Sequence, residues 1–433
     1  MRIHDKRRKW RRVDKYSLQG EIVRGLVLQG GGAKGAFQAG AIKALLERGY
    51  TFDGVVGTSI GALNATLMAQ GEFDILYTVW ETMGIDKVLD VDAEKWSKIK
   101  SKDFSKTTIS YIKDFVVNFF RKGGLETTKA KALISQYTNE EKLRKSKIDF
   151  GLVTVMRKGE FSFEAKTLFK DDIPEGMIAD YVMASANFPL FTKHTIGENR
   201  YYDGGLYDNL PINMLLDKGY DDIVAIRLGD SLAPVKKPYI SEAKIMYIDP
   251  SDKIGSVLDF DSANIQKAIK TGYYDAIRAI DKLDGRKYCI EPLDANAFDA
   301  LMLNLPDSFY DYCVKVFETD FSGVRLDKYI FVSKKLQEML KLKSERKVVW
   351  MTLIEIFAEY AGVDRYKVYS FDELLEKLRY EYYRGFRFAA DIKKKLQKSN
   401  TREAKGMQII KALLKLLGEA KGDSIIELSD GQE

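Results

Sequence analysis

Histidine occurs only twice in these 433 residues, at His4 and His194, and cysteine only twice, at Cys289 and Cys313. Two cysteines cannot build a disulfide framework in a chain of this length, and their spacing does not suggest a zinc site. A reducing, cytoplasmic setting is therefore expected. No segment reaches the roughly 18 uninterrupted apolar residues of a membrane-spanning helix, so any contact with a membrane is expected to be peripheral, at its inner face. The basic start of the chain could imitate a signal peptide, but charges and Gly30, Gly31 and Gly32 interrupt the apolar stretch that should follow. Internal repeats and low-complexity linkers are missing too. A phosphate-binding P-loop is excluded because Lys34 is followed by Gly35 and Ala36, leaving no G-K-[ST].

What is present is ordinary for a folded protein: 45% hydrophobic and 30% charged residues, enough to bury a large core. The formal charge of +6 is not spread over the molecule. Residues 1–15, MRIHDKRRKWRRVDK, hold eight Lys or Arg against two Asp, and the remaining 61 basic and 61 acidic residues cancel. Such an arm can attract anionic lipid headgroups at about 1 kcal/mol per basic residue, or it can be a solvated terminus. No nucleic-acid partner is expected, and oligomeric state is not legible.

The apolar run GLVLQ (25–29) reads as a buried strand entering a glycine loop, and GAFQAGAIKALLER (35–48) as the helix that follows. DGVVGT (53–58) and SIGALNATLMAQG (59–71) repeat the pattern, which starts a parallel sheet. KIDFGLVTVMR (147–157) and FSFEAKTLF (161–169) predict two strands joined by a turn at Lys158 and Gly159. NRYYD (199–203) and DDIVAIRL (221–228) predict two more, with a helix near 211–219 between them and another over 261–282. After about Asp294 amphipathic helices dominate. The chain divides into a basic arm (1–20), an α/β domain with a mostly parallel central sheet (21–290) and a mainly α-helical C-terminal domain (291–433) whose role cannot be read.

Two glycine motifs compete for the site. Gly30, Gly32 and Gly35 satisfy G-x-G-x-x-G between a strand and a helix, and Asp53 lies near where a ribose-binding acid would stand, the pattern of a nucleotide-dependent oxidoreductase. Asp53 precedes its strand, however, whereas the ribose acid belongs at a strand's carboxyl end. That end carries GTSIG (57–61), the G-x-S-x-G form of a nucleophile elbow, with Ser59 on a sharp strand-to-helix turn. Gly57 and Gly61 keep side chains out of the place where strand and helix cross. Bare backbone N–H groups of Gly30, Gly31 and Gly32 on the adjacent strand can then serve as an oxyanion hole.

A conventional triad needs a histidine. His194, beside Lys193, reads as a surface or hydrogen-bonded residue instead. The carboxylate that stands out is Asp203 in YYDGGLYDNLP, at a strand end before Gly204 and Gly205; in an enclosed site it can take the serine proton directly. Asp208 in the same stretch reads as a turn or capping residue.

The order G-G-G-A-K-G (30–35), G-T-S-I-G (57–61) and D-G-G (203–205), with ASANFPLF (184–191) before the last, closely resembles the patatin-like phospholipases, bacterial relatives included, over roughly residues 24–280. The resemblance implies a three-layer α/β/α core and a Ser59–Asp203 dyad with its oxyanion hole at Gly30–Gly32. It further implies hydrolysis of phospholipid or lysophospholipid acyl esters with no metal or cofactor. Lys34 replaces the family's usual Arg, and Gln29 stands where many relatives carry Asp or Ser. A non-catalytic lipid-binding or regulated effector protein of the same fold is the alternative. Two amphipathic segments, YIKDFVVNFFRKGG (111–124) and KGMQIIKALLKLLG (405–418), suit either an interface or ordinary packing.

Overall fold

The computed structural model describes residues 2–4, 23–88, 94, 124–160, 162–240, 242–383 and 401–420. The segment 111–123 and most of the basic arm lie outside them. The chain separates into two compact units, Met1–Ile280 and Asp281–Glu433.

The described residues of unit 1 form nine strands: β1 (Arg2–His4), β2 (Arg24–Leu28), β3 (Gly54–Thr58), β4 (Asp149–Arg157), β5 (Ser162–Phe169), β6 (His194–Ile196), β7 (Asn199–Asp203), β8 (Asp222–Ile226) and β9 (Lys244–Ile248). They run in the order β1-β5-β4-β3-β2-β8-β9, with the β6–β7 hairpin attached to β4. Five pairings are parallel and three antiparallel. The helices are α1 (Gly35–Glu47), α2 (Ile60–Ala69), α3 (Phe73–Glu81), α4 (Ile85–Val88), α5 (Thr128–Tyr137), α6 (Glu140–Lys145), α7 (Ile178–Ser185), α8 (Ile212–Asp217) and α9 (Ser262–Ile280).

Helices flank the sheet because its central strands are apolar on both faces. Val27, Val56, Ile223 and Ala225 form one core with Leu215 and Leu216 of α8. Their neighbours Leu26, Leu28 and Val55 are equally buried, and by the twofold alternation of strands they face the other side. α1 and α9 pack with almost no separation. A β-carbon on Gly40 would lie 1.9 Å from the carbonyl of Ile269, and one on Gly272 would lie 2.0 Å from that of Phe37.

Three strands were not expected from the sequence: β1, which pairs with β5 from within the basic arm, β6 and β9. β6 is three residues long, turned back on β7 through Gly197 and Glu198. β9 is an edge strand whose residues before Ile248 are not buried, and its apolar run, IMYI (245–248), is only four residues long.

Unit 2 is helical, with α10 (Ala295–Leu303), α11 (Asp307–Val316), α12 (Arg325–Leu340), α13 (Arg346–Tyr360), α14 (Phe371–Tyr383) and α15 (Arg402–Ala420), plus a two-stranded pairing of β10 (Cys289–Ile290) with β11 (Val368–Tyr369). Its core centres on Trp350, Tyr310, Tyr329 and Phe357. The apolar face of 405–418 is spent inside this core: Met407, Ile410, Leu413 and Leu414 are buried there. No described helix is long and apolar enough to cross a membrane.

Candidate active site

The site is assembled along one edge of β4. β3 lies parallel to the first half of β4 and ends with Thr58 opposite Val153. β7 runs antiparallel to the second half and ends with Asp203 opposite Thr154. The carboxyl ends of two strands, 145 positions apart in the chain, therefore meet head to head on consecutive residues of a third.

Ser59 follows Thr58 and is the N-cap of α2, with φ 57° and ψ −124°. A non-glycine residue held there costs on the order of 1–3 kcal/mol, a strain that persists only where the surroundings impose it. The close crossing beneath imposes it: a β-carbon on Gly57 would lie 2.2 Å from the carbonyl of Gly61, and one on Gly61 would lie 2.1 Å from that of Leu28. The turn directs the Ser59 side chain into the cavity that Asp203 also lines, near enough for its hydroxyl to pull the Asp203 pKa down.

Asp203 is only 6% exposed. Burial pushes its carboxyl up to about 6, against which the Gly205 N–H and the Ser59 hydroxyl pull it down. The Gly205 N–H donates to Asp203 Oδ1 at 2.7 Å. Gly204 lets the turn pass against β4, since a β-carbon there would lie 2.1 Å from the Val153 carbonyl. The result is a carboxylate that is ionised at neutral pH yet basic enough to receive a proton.

The glycine loop runs beside the elbow. The Gly30 N–H donates to the Asn209 carbonyl at 3.1 Å, and the Asn209 amide donates back to the Gly30 carbonyl at 3.1 Å. Gly30 is thereby tied to the loop that follows Asp203, and its N–H is engaged. The N–H groups of Gly31 and Gly32 have no hydrogen-bond acceptor among the described residues, whereas Ala33 donates to the Val257 carbonyl at 2.8 Å. Gly32 has φ 56°. Lys34 directs its ammonium to the Leu228 carbonyl at 3.3 Å.

Behind the loop a buried polar chain fixes its base. Trp80 donates to Asn64 (3.0 Å), Asn64 to Gln38 (2.8 Å) and to the Gly35 carbonyl (3.2 Å), and Gln38 to the Gln29 carbonyl (2.7 Å). Gln29, the departure noted in the sequence, is buried and accepts the Leu228 N–H.

Ser59, Asp203 and Gly32 open onto a cavity of about 130 Å3, whose walls are mostly apolar and include Leu63, Leu67, Leu76, Trp80, Ile134 and Met183. Phe188 and Val257 also line it while remaining 38% and 39% exposed, so they stand at its mouth.

The other candidates are occupied elsewhere. His194 is buried rather than on the surface; its Nε2 pairs with the Asp180 carbonyl at 2.9 Å, burial lowers its pKa, and it does not line the cavity. Asp208 holds the next turn through the N–H groups of Leu210 (3.2 Å) and Lys236 (3.3 Å). Asp53 closes the start of β3 by accepting the Arg24 N–H at 3.0 Å. That lies at the opposite end of the strands from the glycine loop, about 16 Å away at 3.3 Å per residue, where it cannot reach a nucleotide seated on that loop. Ser185 and Asn187 lie in the quoted ASANFPLF and Asn209 in YYDGGLYDNLP, but sequence reasoning gave none of them a role, because their contacts with Ser59, Asp203 and Gly30 span 126, 16 and 179 positions.

Residues 26–216 match the family model of patatin-like phospholipases. A stretch of 217 residues is 26% identical to lysophospholipase NTE1 of Kluyveromyces lactis, covering 49% of this chain and 13% of that protein. A 46-residue segment is 59% identical to lysophospholipase nte1 of Aspergillus terreus, covering 11% of this chain and 3% of that one. The matched regions are thus a minor part of both relatives. Among solved structures, VipD from Legionella pneumophila aligns over 94% of this chain and 89% of its own at 17% identity, with a TM-score of 0.40.

Proposed function

We propose that unit 1 is a lipid acyl hydrolase of phospholipase A or lysophospholipase type, acting through a dyad of Ser59 and Asp203. One observation carries this reading: a serine on a strained turn and a buried carboxylate of raised pKa line the same apolar cavity. The match of residues 26–216 to a phospholipase family model supports the choice of lipid esters.

In the proposed reaction Ser59 Oγ attacks the ester carbonyl carbon while its proton passes to Asp203. The carbonyl oxygen becomes an oxyanion facing the Gly31 and Gly32 N–H groups, which are the donors not already engaged. Collapse expels the lysolipid or glycerol alcohol, which takes the proton from Asp203 and leaves an acyl-Ser59. Water then attacks the acyl carbon, giving its proton to Asp203, and the second collapse returns that proton to Ser59 as the fatty acid departs. The apolar wall holds the acyl chain, and the half-exposed Phe188 and Val257 suit peripheral contact with a lipid surface.

Mass spectrometry of fatty acids and lysolipids released from mixed phospholipid vesicles, with Ser59→Ala as control, tests the proposal together with fluorophosphonate labelling. Acyl release and labelling at Ser59 are expected. Lipid binding without either would favour a non-catalytic lipid-binding protein.

A further inference from the structure

Ser59 and Asp203 sit at the ends of strands that share a neighbour but do not pair with one another. A single turn at the end of α7 touches both. Ser185, the last residue of that helix and fully buried, accepts the Ser59 backbone N–H on its Oγ at 3.0 Å. Two residues on, the carbonyl of Asn187 accepts the Asp203 backbone N–H at 2.9 Å. Asn187 is 1% exposed and its amide donates to the Tyr201 carbonyl at 2.9 Å, which seats the turn on β7. Ala186 and Phe188, in the same turn, line the cavity.

We infer that the turn Ser185–Asn187 is a positioning bridge, with the Ser185 hydroxyl fixing the strained elbow at the distance from Asp203 that proton transfer requires. Ser59 has left the β3 ladder, so its N–H needs another acceptor inside the protein. Ser185 supplies one, and the same contact removes the Ser59 N–H from the possible oxyanion donors. Without it the elbow is free to relax from φ 57°, carrying Oγ away from the carboxylate. A displacement of about 1 Å is enough to cost on the order of 10² in rate.

This inference rests on the dyad proposed above, and the experiment separates the two. Ser185→Thr and Ser185→Val are nearly isosteric and crowd the site equally, but only Thr keeps the acceptor. Vesicle-based kcat and KM, fluorophosphonate labelling and thermal melts are measured for both beside the wild type. The bridge predicts a kcat about 10- to 100-fold lower in Ser185→Val than in Ser185→Thr, with KM alike in both. If Ser185→Val does not fold, Ser185→Ala, which only removes atoms, takes its place and is expected to lose kcat at unchanged KM. A wild type labelled at Ser59 whose variants show no hydroxyl-dependent kcat loss overturns the bridge alone. A wild type that neither labels nor releases acyl chains overturns the dyad and the bridge with it.

Discussion

Thr58 and Asp203 face consecutive residues of β4, Val153 and Thr154, so two strands approaching from opposite directions place Ser59 and a carboxylate side by side. The register of one strand therefore controls how far the hydroxyl stands from the acid. In the proposed reaction the serine proton passes between these two groups, and that step sets the pH behaviour.

Asp203 has to be ionised to accept the serine proton, and burial pushes its pKa up to about 6. kcat/KM should fall tenfold per pH unit below that value and level off above it, because protonation removes the base. Asp203→Asn should lower kcat by about 10²- to 10⁴-fold. His194→Ala should retain kcat within a few-fold while lowering the melting temperature, since it only vacates a buried position. Loss of turnover in His194→Ala with retention in Asp203→Asn would rule out the dyad.

The same burial has an opposite consequence for stability. The folded pKa of Asp203 is raised from 3.8 to about 6, so between these values the folded state holds a proton that the unfolded state has released. Stability contributed by the protonated acid is complete below about pH 4 and is lost as pH rises through 6. The ionised carboxylate then costs on the order of 3 kcal/mol. Asp203→Asn should accordingly melt about 5 °C above wild type at pH 8 and at the same temperature near pH 4. Scanning calorimetry at both pH values checks this, with equal melting temperatures at pH 8 as the contrary result.

Gly61→Ala tests the crossing of β3 and α2 under the elbow. Its β-carbon would meet the Leu28 carbonyl at 2.1 Å, an atom of the backbone that cannot swing aside. A loss of about 3 kcal/mol is expected in urea unfolding, toward the upper end of overpacking costs. Gly159→Ala is the control: a β-carbon there meets nothing within 4 Å. Equal stability of the two variants would mean that the crossing has room to spare.

The central strands of unit 1 were legible as short apolar runs beside glycine, and its long helix by amphipathic spacing. GLVLQ corresponds to β2, DGVVGT to β3 and the helix at 261–282 to α9. The candidate site was legible where chemistry demands glycine or a carboxylate at a strand end. Its supports were not. Ser185 lies in the ASANFPLF stretch that resembles the family, but its role was not legible, because only folding brings its hydroxyl within 3.0 Å of a backbone N–H 126 positions away. The same holds for Asn209, whose amide reaches Gly30 across 179 positions. The Gly30 N–H is engaged by the backbone carbonyl of the same Asn209, which narrows the proposed oxyanion donors to Gly31 and Gly32.

The depth of the cavity should set chain-length preference. Leu63 and Leu67 both line it and follow Ser59 at four and eight positions along α2, which puts them on one helical face about 6 and 12 Å from the elbow. An acyl chain attached to Ser59 would therefore pass Leu63 first and reach Leu67 with its more distal carbons. Filling the deeper position with Leu67→Trp removes room for those carbons and leaves the ester carbonyl undisturbed. Short acyl esters should then keep their kcat/KM, whereas long ones lose about fourfold for each methylene denied burial, at ~0.8 kcal/mol apiece. Comparing p-nitrophenyl esters from butyrate to palmitate in wild type and variant reads this out. A uniform drop across the series would place the chain elsewhere, because only a chain lying along α2 makes the loss grow with length.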